Sequence, residues 1–248
     1  MNLLALIPAR MGSSRFPGKP MERINGKPMI GHVYHRVSQC NILSKTVVAT
    51  CDKEIFDYIH SIDGNAIMTG DYHDRASDRC AEALELLEKF DGINYDIIVM
   101  VQGDEPMVHP DMIKQAIEPM LENPNILVAN LLGKIKSKEE FLDRNCIKVV
   151  CNLNNNAMYF SREPIPTLFN GGEVRMMKQV CIIPFRRDFL LKYINLEPTE
   201  LEIAESVDMM RVLENGYDVH MIPTNFESYA VDTPNDLKKV EKIMQNLT

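Results

Sequence analysis

The chain has 248 residues, of which 45% are hydrophobic and 25% charged, as in a globular protein with a sizeable core. Its 27 basic and 35 acidic residues give a net charge of −8, which argues against a nucleic-acid partner because phosphate backbones require a positive surface. No apolar run approaches the roughly 20 residues of a membrane span, and no secretory signal is recognisable at the N-terminus. We therefore expect a cytoplasmic protein that does not bind membranes.

The apolar pattern predicts alternating strands and helices. A continuous apolar run over 3–7 is typical of a strand buried on both faces. The elements predicted after it are a helix at 29–38, a strand at 45–51, a helix at 53–62, strands at 65–68 and 97–101 around a helix at 77–90, a helix at 110–122 and a strand at 126–132. This order predicts a mostly parallel sheet with helices on both faces, in which ligands bind at the carboxyl ends of the strands.

The pattern changes between about 145 and 185. Strands predicted at 146–151 and 157–161 flank an asparagine-rich turn, which is typical of a hairpin. We interpret about 150–186 as an insertion, a dimer arm or lid, within a single α/β domain spanning 1–248. Its exposed strand edge favours a homodimer.

The last part of the chain again predicts helices. A capping box at Thr199 and an Asn-Gly C-cap bound one predicted helix, with Ile203, Val207 and Met210 as its buried stripe. A strand at 219–222 and a helix from about residue 234 complete the predicted fold.

The loop at 8–20, after the first predicted strand, carries three cations, Arg10, Arg15 and Lys19. On a glycine-containing loop at a strand end, such side chains and backbone N–H groups can converge on a polyphosphate. The loop is not a Walker A motif, because Pro20 stands where that motif has Ser or Thr, so magnesium has to be held elsewhere. A solvated basic loop is the alternative interpretation, and the position after a buried strand favours the phosphate site.

Two further segments place carboxylates after apolar runs. Residues 101–106 read Val-Gln-Gly-Asp-Glu-Pro and follow a predicted strand. Asp104 is suitably placed to hold magnesium opposite the phosphate loop, and Gln102 offers a donor and an acceptor for a base edge. Asp232 follows another apolar run and precedes a helix. Read in isolation, each aspartate is equally typical of a turn or a helix cap.

Together these motifs resemble the 3-deoxy-manno-octulosonate cytidylyltransferase family, also called CMP-Kdo synthetases. The resemblance rests on Ser-Ser-Arg-Phe-Pro-Gly-Lys-Pro at 13–20, Val-Gln-Gly-Asp-Glu-Pro at 101–106, Tyr-Phe-Ser-Arg-Glu-Pro-Ile-Pro at 159–166 and Val-Asp-Thr-Pro at 231–234, and it spans nearly the whole chain. It implies a nucleotide-diphospho-sugar-transferase-like (Rossmann-like) α/β fold with a small dimerisation insertion.

The resemblance also implies a reaction, in which CTP and a small 2-keto sugar acid give a CMP-sugar and pyrophosphate with Mg²⁺ as cofactor, for cell-surface polysaccharide or lipopolysaccharide synthesis. By the family's pattern the catalytic residues are Arg10, Lys19, Asp104 and Asp232, and the two aspartates are the magnesium ligands. The residues implied to bind CTP are Ala9, Arg10, Ser13, Arg15, Lys19 and Gln102. The residues implied to bind the acid are His73, Arg75, Arg79, Arg162, Gln179 and Glu205. Among these, Arg162 is expected to meet the substrate carboxylate.

The departures from the family's pattern concern segments implied to contact the acid. The family's Ser-Gly reads Arg75-Ala76 here, its His-x-Gly-Ile-Tyr reads Gln-Val-Cys-Ile-Ile at 179–183, and its Glu-Gln-Leu-Arg reads Asp-Met-Met-Arg at 208–211. Such changes bear on the choice of acid, because an unmatched hydroxyl leaves buried groups unpaired. The extra cation at Arg75 mildly favours a more anionic or less hydroxylated acceptor. Another ulosonic acid or a phosphonate therefore stands beside Kdo as an alternative.

Two alternatives belong to other classes. A CTP-binding regulatory or scaffold protein without catalysis is disfavoured because both candidate magnesium ligands and all three loop cations are present. A dinucleotide-dependent oxidoreductase is excluded because no G-x-G-x-x-G follows the first predicted strand. The residues do not fix the base, so another nucleotide such as UTP stays open.

Overall fold

The structure is a computed structural model that describes residues 1–13, 15–167, 169–171 and 174–246. In chain order its elements are β1 (Leu3–Ala9), a 3-10 helix (Lys19–Met21), β2 (Arg23–Ile24), β3 (Lys27–Pro28), α1 (Met29–Ser38), β4 (Lys45–Thr50), α2 (Lys53–Ser61), β5 (Ala66–Met68), α3 (Ala76–Asp91), β6 (Ile97–Val101), α4 (Pro110–Glu122), β7 (Ala129–Lys134), α5 (Lys138–Leu142), β8 (Lys148–Cys151), β9 (Ala157–Ser161), β10 (Met177–Val180), β11 (Ile182–Arg186), α6 (Arg187–Tyr193), α7 (Glu200–Glu205), α8 (Asp208–Glu214), β12 (His220–Pro223) and α9 (Pro234–Gln245). Within the described ranges, every helix is too short or too polar to cross a bilayer.

The first of two compact units comprises Met1–Lys114 and the segment from Glu227 onward, and it is built on parallel strands. In its sheet β1 lies between β4 and β6 and is parallel to both, and β4 is parallel to β5. All seven residues of β1 are buried, as expected for an inner strand of a parallel sheet. The alternation of strands and helices predicted for this part of the chain is therefore present.

The carboxyl ends of three strands lie side by side in this unit. Strand β1 ends at Ala9, which pairs in register with Thr50 at the end of β4, and the neighbouring strand β6 ends at Val101. The loop after β6 approaches β1 closely at Gly103, where a Cβ atom would lie 3.0 Å from the Pro8 carbonyl oxygen. The loops that follow these strands are thus held at one edge of the sheet.

The second unit, Gln115–Phe226, contains a mixed sheet with the strand order β12-β7-β10-β8-β9. Strand β12 is parallel to β7, and the other neighbours are antiparallel. The predicted hairpin is present as β8 and β9, and Asn155 in its turn has a φ of 59°. Strands β10 and β11 and helices α5 and α6 are short, and the hydrophobic pattern does not predict them.

The single helix predicted over 199–216 consists of two helices, α7 and α8, so this prediction is wrong in part. Ser206, with a φ of 52°, adopts the left-handed conformation that ends α7. Because the chain changes direction there, the apolar stripe does not continue through the break. Ile203, predicted to be buried, is 64% exposed, whereas Val207 and Met210 are buried as predicted.

Candidate active site

The predicted phosphate loop begins at the end of β1 and folds around one backbone carbonyl. The Met11 oxygen accepts hydrogen bonds from the N–H groups of Ser13 and Gly18, both over 2.9 Å. Gly18 has a φ of 75°, a conformation that glycine adopts without strain. The Arg10 guanidinium donates to the His73 carbonyl oxygen over 3.1 Å. The loop is therefore a closed turn at the edge of the sheet.

Asp52, directly before α2, ties this loop to the neighbouring strand. Its Oδ2 accepts a hydrogen bond from the Met11 N–H over 2.8 Å, and its own N–H donates to Thr50 Oγ1 over 3.1 Å. Sequence reasoning missed Asp52. The available signal was its position immediately after a predicted parallel strand, at the edge where ligands bind.

Lys19 joins the loop to both candidate magnesium ligands. Its Nζ lies 2.6 Å from Asp104 Oδ2 and 3.2 Å from Asp232 Oδ1, and it donates to the Val231 carbonyl over 3.1 Å. Arg15 adds a second cation, with NH2 2.9 Å from the same Asp232 oxygen. The fold thus brings together four predicted site residues that lie on three separate segments of the sequence.

Burial and charge act in opposite directions on the Lys19 ammonium. Burial lowers the pKa of Lys19, but the charges of Asp104 and Asp232 and their hydrogen bonds outweigh it and raise the pKa above its ordinary value. The side chains of Lys19, Asp104 and Asp232 are 13, 16 and 15% exposed, so solvent screens these ion pairs only weakly. Asp104 Oδ1 is buried and has no hydrogen-bond partner among the described residues. This oxygen can therefore serve as a ligand to a cation.

Two contacts hold the loops of Asp104 and Asp232 together. The Val231 N–H donates to the Asp104 carbonyl over 2.9 Å. The Ser228 hydroxyl donates to the Glu105 carboxylate, and both side chains are buried. Sequence reasoning missed Glu105, although a carboxylate beside a candidate metal ligand in a strand-end loop was a usable signal.

The other residues predicted to bind the nucleotide lie on the same loops. Ala9 is buried at the end of β1, and Gln102 is half-buried directly after β6. Ser13 Oγ accepts a hydrogen bond from the Phe16 N–H over 3.4 Å. These residues therefore lie on or beside the loops that follow β1 and β6, at the same edge of the sheet.

A second cluster in this unit surrounds His73 and Glu82. His73 Nε2 makes a short hydrogen bond to Glu82 Oε2, which also accepts the Gly70 N–H over 2.9 Å. Burial raises the pKa of Glu82, but these hydrogen bonds and the charges of His73 and Arg79 outweigh it and lower the pKa. Sequence reasoning missed Glu82, which the spacing of three residues from Arg79 on a predicted helix could have indicated.

Arg79 is 2% exposed, and only part of its guanidinium is engaged. Its NH1 donates to Thr69 Oγ1 over 2.5 Å and to the Gly70 carbonyl over 3.1 Å. Its NH2 is buried and has no hydrogen-bond partner among the described residues. A buried guanidinium with an unused donor suits an anionic ligand. Arg75, also predicted to bind the acid, is half-buried at the N-cap of α3.

In the second unit, Arg162 and Glu205 contact each other. The Arg162 N–H donates to Glu205 Oε2 over 2.8 Å, and Arg162 Nε donates to the Glu205 carbonyl over 2.6 Å. The guanidinium also donates to the carbonyls of Arg144 and Ser206. Arg162 therefore braces the backbone, a role that the sequence does not indicate, and its contact with a substrate carboxylate stays a prediction.

Gln179 lies on β10 in the second unit and is bound to a buried amide. Its Nε2 donates to Asn130 Oδ1 over 2.6 Å, and Asn130 is completely buried. Asn130 in turn donates to the Val180 carbonyl over 2.6 Å. The role of Gln179 in binding the acid stays a prediction.

Comparison with known proteins shows the family. A family model described as cytidylyltransferase matches residues 4–243. A 3-deoxy-manno-octulosonate cytidylyltransferase of Trichlorobacter lovleyi is 43% identical and covers 99% of this chain and 99% of its own length. The protein of the same name from Geotalea uraniireducens is 41% identical and covers 97% of this chain and 98% of its own length. A solved structure of CMP:2-keto-3-deoxy-manno-octonic acid synthetase complexed with CTP has a TM-score of 0.89 and 36% identity, covering 100% of both chains.

The fold and the cationic strand-end loop define an α/β nucleotidyltransferase, and the matched model identifies the class as cytidylyltransferases. The chain belongs to the 3-deoxy-manno-octulosonate cytidylyltransferase family. The family resemblance seen in the sequence motifs and the predicted nucleotide-diphospho-sugar-transferase-like fold are both confirmed.

Proposed function

We propose that this protein transfers CMP from CTP to 3-deoxy-manno-octulosonate, giving CMP-Kdo and pyrophosphate for cell-surface polysaccharide or lipopolysaccharide synthesis. The observation that carries the proposal is the cluster of Lys19, Asp104 and Asp232 at the strand ends of the first unit. A relative bearing this name at 43% identity, and the CTP-complexed synthetase at a TM-score of 0.89, support it.

For CTP, the loop after β1 supplies the positive charge. In our proposal the triphosphate is bound by Arg10, Ser13, Arg15 and Lys19, and the rest of the nucleotide by Ala9 and Gln102. Cationic side chains and backbone N–H groups at a strand end are the usual elements of a phosphate site. The hydrogen bonds to the Met11 carbonyl from the N–H groups of Ser13 and Gly18 support this assignment, because they fold back the loop that carries the cations.

Replacing Asp52 with alanine tests how that loop is positioned. The change removes the acceptor of the Met11 N–H, so we expect the KM for CTP to rise about fivefold with a smaller change in kcat. Asp52→Asn retains an oxygen that can accept this hydrogen bond and should behave like the parent chain. Asp57→Ala, within α2 and 56% exposed, is the control. Steady-state kinetics at varied CTP giving an unchanged KM in Asp52→Ala would contradict the positioning role.

We propose that Asp104 and Asp232 hold the magnesium ion. Carboxylate oxygens are the ligands that Mg²⁺ prefers, and Asp104 Oδ2 and Asp232 Oδ1 already face one cation, the Lys19 ammonium. Across the described ranges, no three His, Cys, Asp or Glu side chains are grouped to hold a metal ion. Two carboxylates are sufficient for Mg²⁺, because this ion usually takes its remaining ligands from phosphates and water. When bound, Mg²⁺ neutralises phosphate charge and lowers the pKa of the attacking hydroxyl.

The chain itself positions the reactants and neutralises charge. The anomeric hydroxyl oxygen forms a bond to the α-phosphorus, the bond from that phosphorus to the bridging oxygen breaks, and the hydroxyl proton is lost to water. Arg15 and Lys19 stabilise the negative charge that grows on the departing pyrophosphate. Arg10 holds the triphosphate from the start of the loop, which favours in-line attack.

For the sugar acid, we propose two sets of residues, each in its own unit. The sets are His73, Arg75 and Arg79 in the first unit, and Arg162, Gln179 and Glu205 in the second. The buried, unpartnered NH2 of Arg79 supports the first set. Relatives named for 3-deoxy-manno-octulosonate at 41–43% identity support Kdo as the acceptor, ahead of the other acids that Arg75 leaves open.

Pyrophosphate release tests the proposed function directly. The purified protein is mixed with CTP, Mg²⁺ and either Kdo, a second ulosonic acid or a phosphonate, and the nucleotide product is identified by its mass. We expect kcat/KM to be at least about tenfold higher with Kdo than with the other acids. No release with Kdo, or faster release with another acid, would overturn the proposed acceptor. No release with any acid would overturn cytidylyl transfer.

We further propose that 1–248 acts as one nucleotidyltransferase domain that forms a homodimer through the arm at about 150–186. Leu153 and Met158 in this segment are 103% and 63% exposed, and apolar side chains on an exposed hairpin are commonly buried by a partner chain. We also propose that the protein acts in the cytoplasm, with CTP and a sugar acid as partners and without nucleic acid or membrane.

A further inference from the structure

The Lys19 ammonium lies between the two carboxylates that we assign to magnesium. Its three close acceptors are Asp104 Oδ2 at 2.6 Å, Asp232 Oδ1 at 3.2 Å and the Val231 carbonyl oxygen at 3.1 Å. An ammonium group has three N–H donors, so it can serve all of these acceptors at once. With only 13% of its side chain exposed, Lys19 is lodged between the two loops.

A divalent cation held between the two aspartates by Asp104 Oδ2 and Asp232 Oδ1 would take the position that the ammonium holds. Mg²⁺ binds carboxylate oxygens at about 2.1 Å, which is closer than a hydrogen bond allows the ammonium nitrogen to come. Two cations this close together in a poorly screened site repel each other strongly. The arrangement therefore accepts either the Lys19 ammonium or the metal ion between Asp104 and Asp232.

We propose that Lys19 is a resident counterion of the magnesium site, and that it leaves the two aspartates when the metal arrives and then binds the triphosphate. This inference rests on the proposed function, because it takes Asp104 and Asp232 as the metal ligands. It goes further by giving Lys19 two successive partners. The same positive charge stabilises the paired carboxylates first and the substrate phosphates afterwards.

This exchange links the two binding events. Without nucleotide, metal binding is weakened because the ammonium has to leave Asp104 and Asp232. When CTP is present, its triphosphate provides the displaced ammonium with a new partner. CTP is therefore expected to assist metal binding through Lys19, and the metal must assist CTP binding to the same extent. Arg15 offers a matched comparison, because it also pairs with Asp232 but is 47% exposed.

Binding of Mn²⁺ without nucleotide, followed by electron paramagnetic resonance, tests the exchange. In Lys19→Met no ammonium has to be displaced, so we expect Mn²⁺ to bind at least about tenfold more tightly than to the parent chain. Arg15→Met also removes one positive charge but does not clear the position between the carboxylates, so its effect should stay below about threefold. Equal tightening in both variants, or none in Lys19→Met, would overturn the proposal.

Acetylation of the parent chain gives a test that needs no variant. Modification of Lys19 by acetic anhydride, measured by mass spectrometry, should be slow without metal and should rise severalfold at saturating Mn²⁺. Lys53, which is 81% exposed, serves as the internal standard. Addition of CTP should protect Lys19 again. An unchanged rate on adding Mn²⁺ would refute the exchange even if Lys19→Met failed to fold.

Asp104→Asn distinguishes failure of this inference from failure of the proposed function. If Asp104→Asn binds Mn²⁺ with CTP as tightly as the parent chain does, the magnesium assignment in the proposed function is wrong. If Asp104→Asn weakens Mn²⁺ binding but Lys19→Met leaves it unchanged, the assignment stands and only the exchange is wrong.

Discussion

Asp104→Asn is expected to lower kcat at least about a thousandfold, because several kcal/mol of charge stabilisation at the reacting phosphate are lost. The variant is expected to stay folded. Asparagine has nearly the same shape as aspartate, and the Asp104 carbonyl still accepts the Val231 N–H that joins the two loops. The substitution removes the negative charge of the carboxylate, which lies 2.6 Å from Lys19 Nζ and which we propose to bind magnesium.

Pyrophosphate release at saturating CTP and Kdo measures this loss, and thermal unfolding followed by circular dichroism verifies the fold. Asp232→Asn is expected to lose turnover by a comparable factor. Asp111→Asn removes a carboxylate from the same unit that is 54% exposed, and it should stay within about twofold of the parent rate. If Asp104→Asn kept more than about a tenth of the parent rate, its assignment as a magnesium ligand would be wrong.

The longer elements of the fold could be predicted from the hydrophobic pattern. Helices α1 and α4 and strand β6 have the bounds that the sequence predicts, namely 29–38, 110–122 and 97–101. Each of these is either long enough to show a helical period or apolar throughout. In these three elements, the tertiary packing therefore favours the same secondary structure as the local hydrophobic pattern does.

Short elements and breaks were harder to predict. The hairpin of β2 and β3 has two residues per strand, too few for a period of two, although Asn25 and Gly26, with φ of 49° and 81°, are a recognised turn signal. The break at Ser206 leaves no such trace in the sequence. A left-handed serine depends on tertiary contacts, and here the Ser206 carbonyl accepts a hydrogen bond from Arg162.

For the candidate site, the sequence indicates candidate residues but not which of them contact one another. Lys19 is 85 residues from Asp104 and 213 from Asp232, and its motif predicts only a phosphate ligand. The pairing arises because the sheet brings separate strand ends to one edge. Glu82 and Glu105 carry local signals, a spacing of three residues from Arg79 and a position beside Asp104, but their partners His73 and Ser228 are set by tertiary packing.

Arg211 and Glu202 form a buried ion pair in the second unit. Arg211 Nε and NH2 each donate to a Glu202 carboxylate oxygen over 2.7 Å, and the two side chains are 5% and 0% exposed. The guanidinium also lies 4.9 Å from the centre of the Tyr193 ring. We expect Arg211→Met to lower the free energy of unfolding by about 3–5 kcal/mol, because the Glu202 carboxylate is left buried without its cation. Urea unfolding followed by circular dichroism measures the change.

A double variant separates loss of the pair from loss of packing. Arg211→Met combined with Glu202→Leu removes both charges, so it should be more stable than Arg211→Met alone. Lys53→Met breaks the pair with Asp57, whose side chains are 81% and 56% exposed, and should cost less than about 1 kcal/mol. A loss of under about 1 kcal/mol in Arg211→Met would show that the pair behaves like an exposed one.

Arg211→Met should also raise the KM for the sugar acid more than the KM for CTP. Its partner Glu202 lies in α7, and this helix ends at the carbonyl groups that accept hydrogen bonds from Arg162, which we propose to bind the acid.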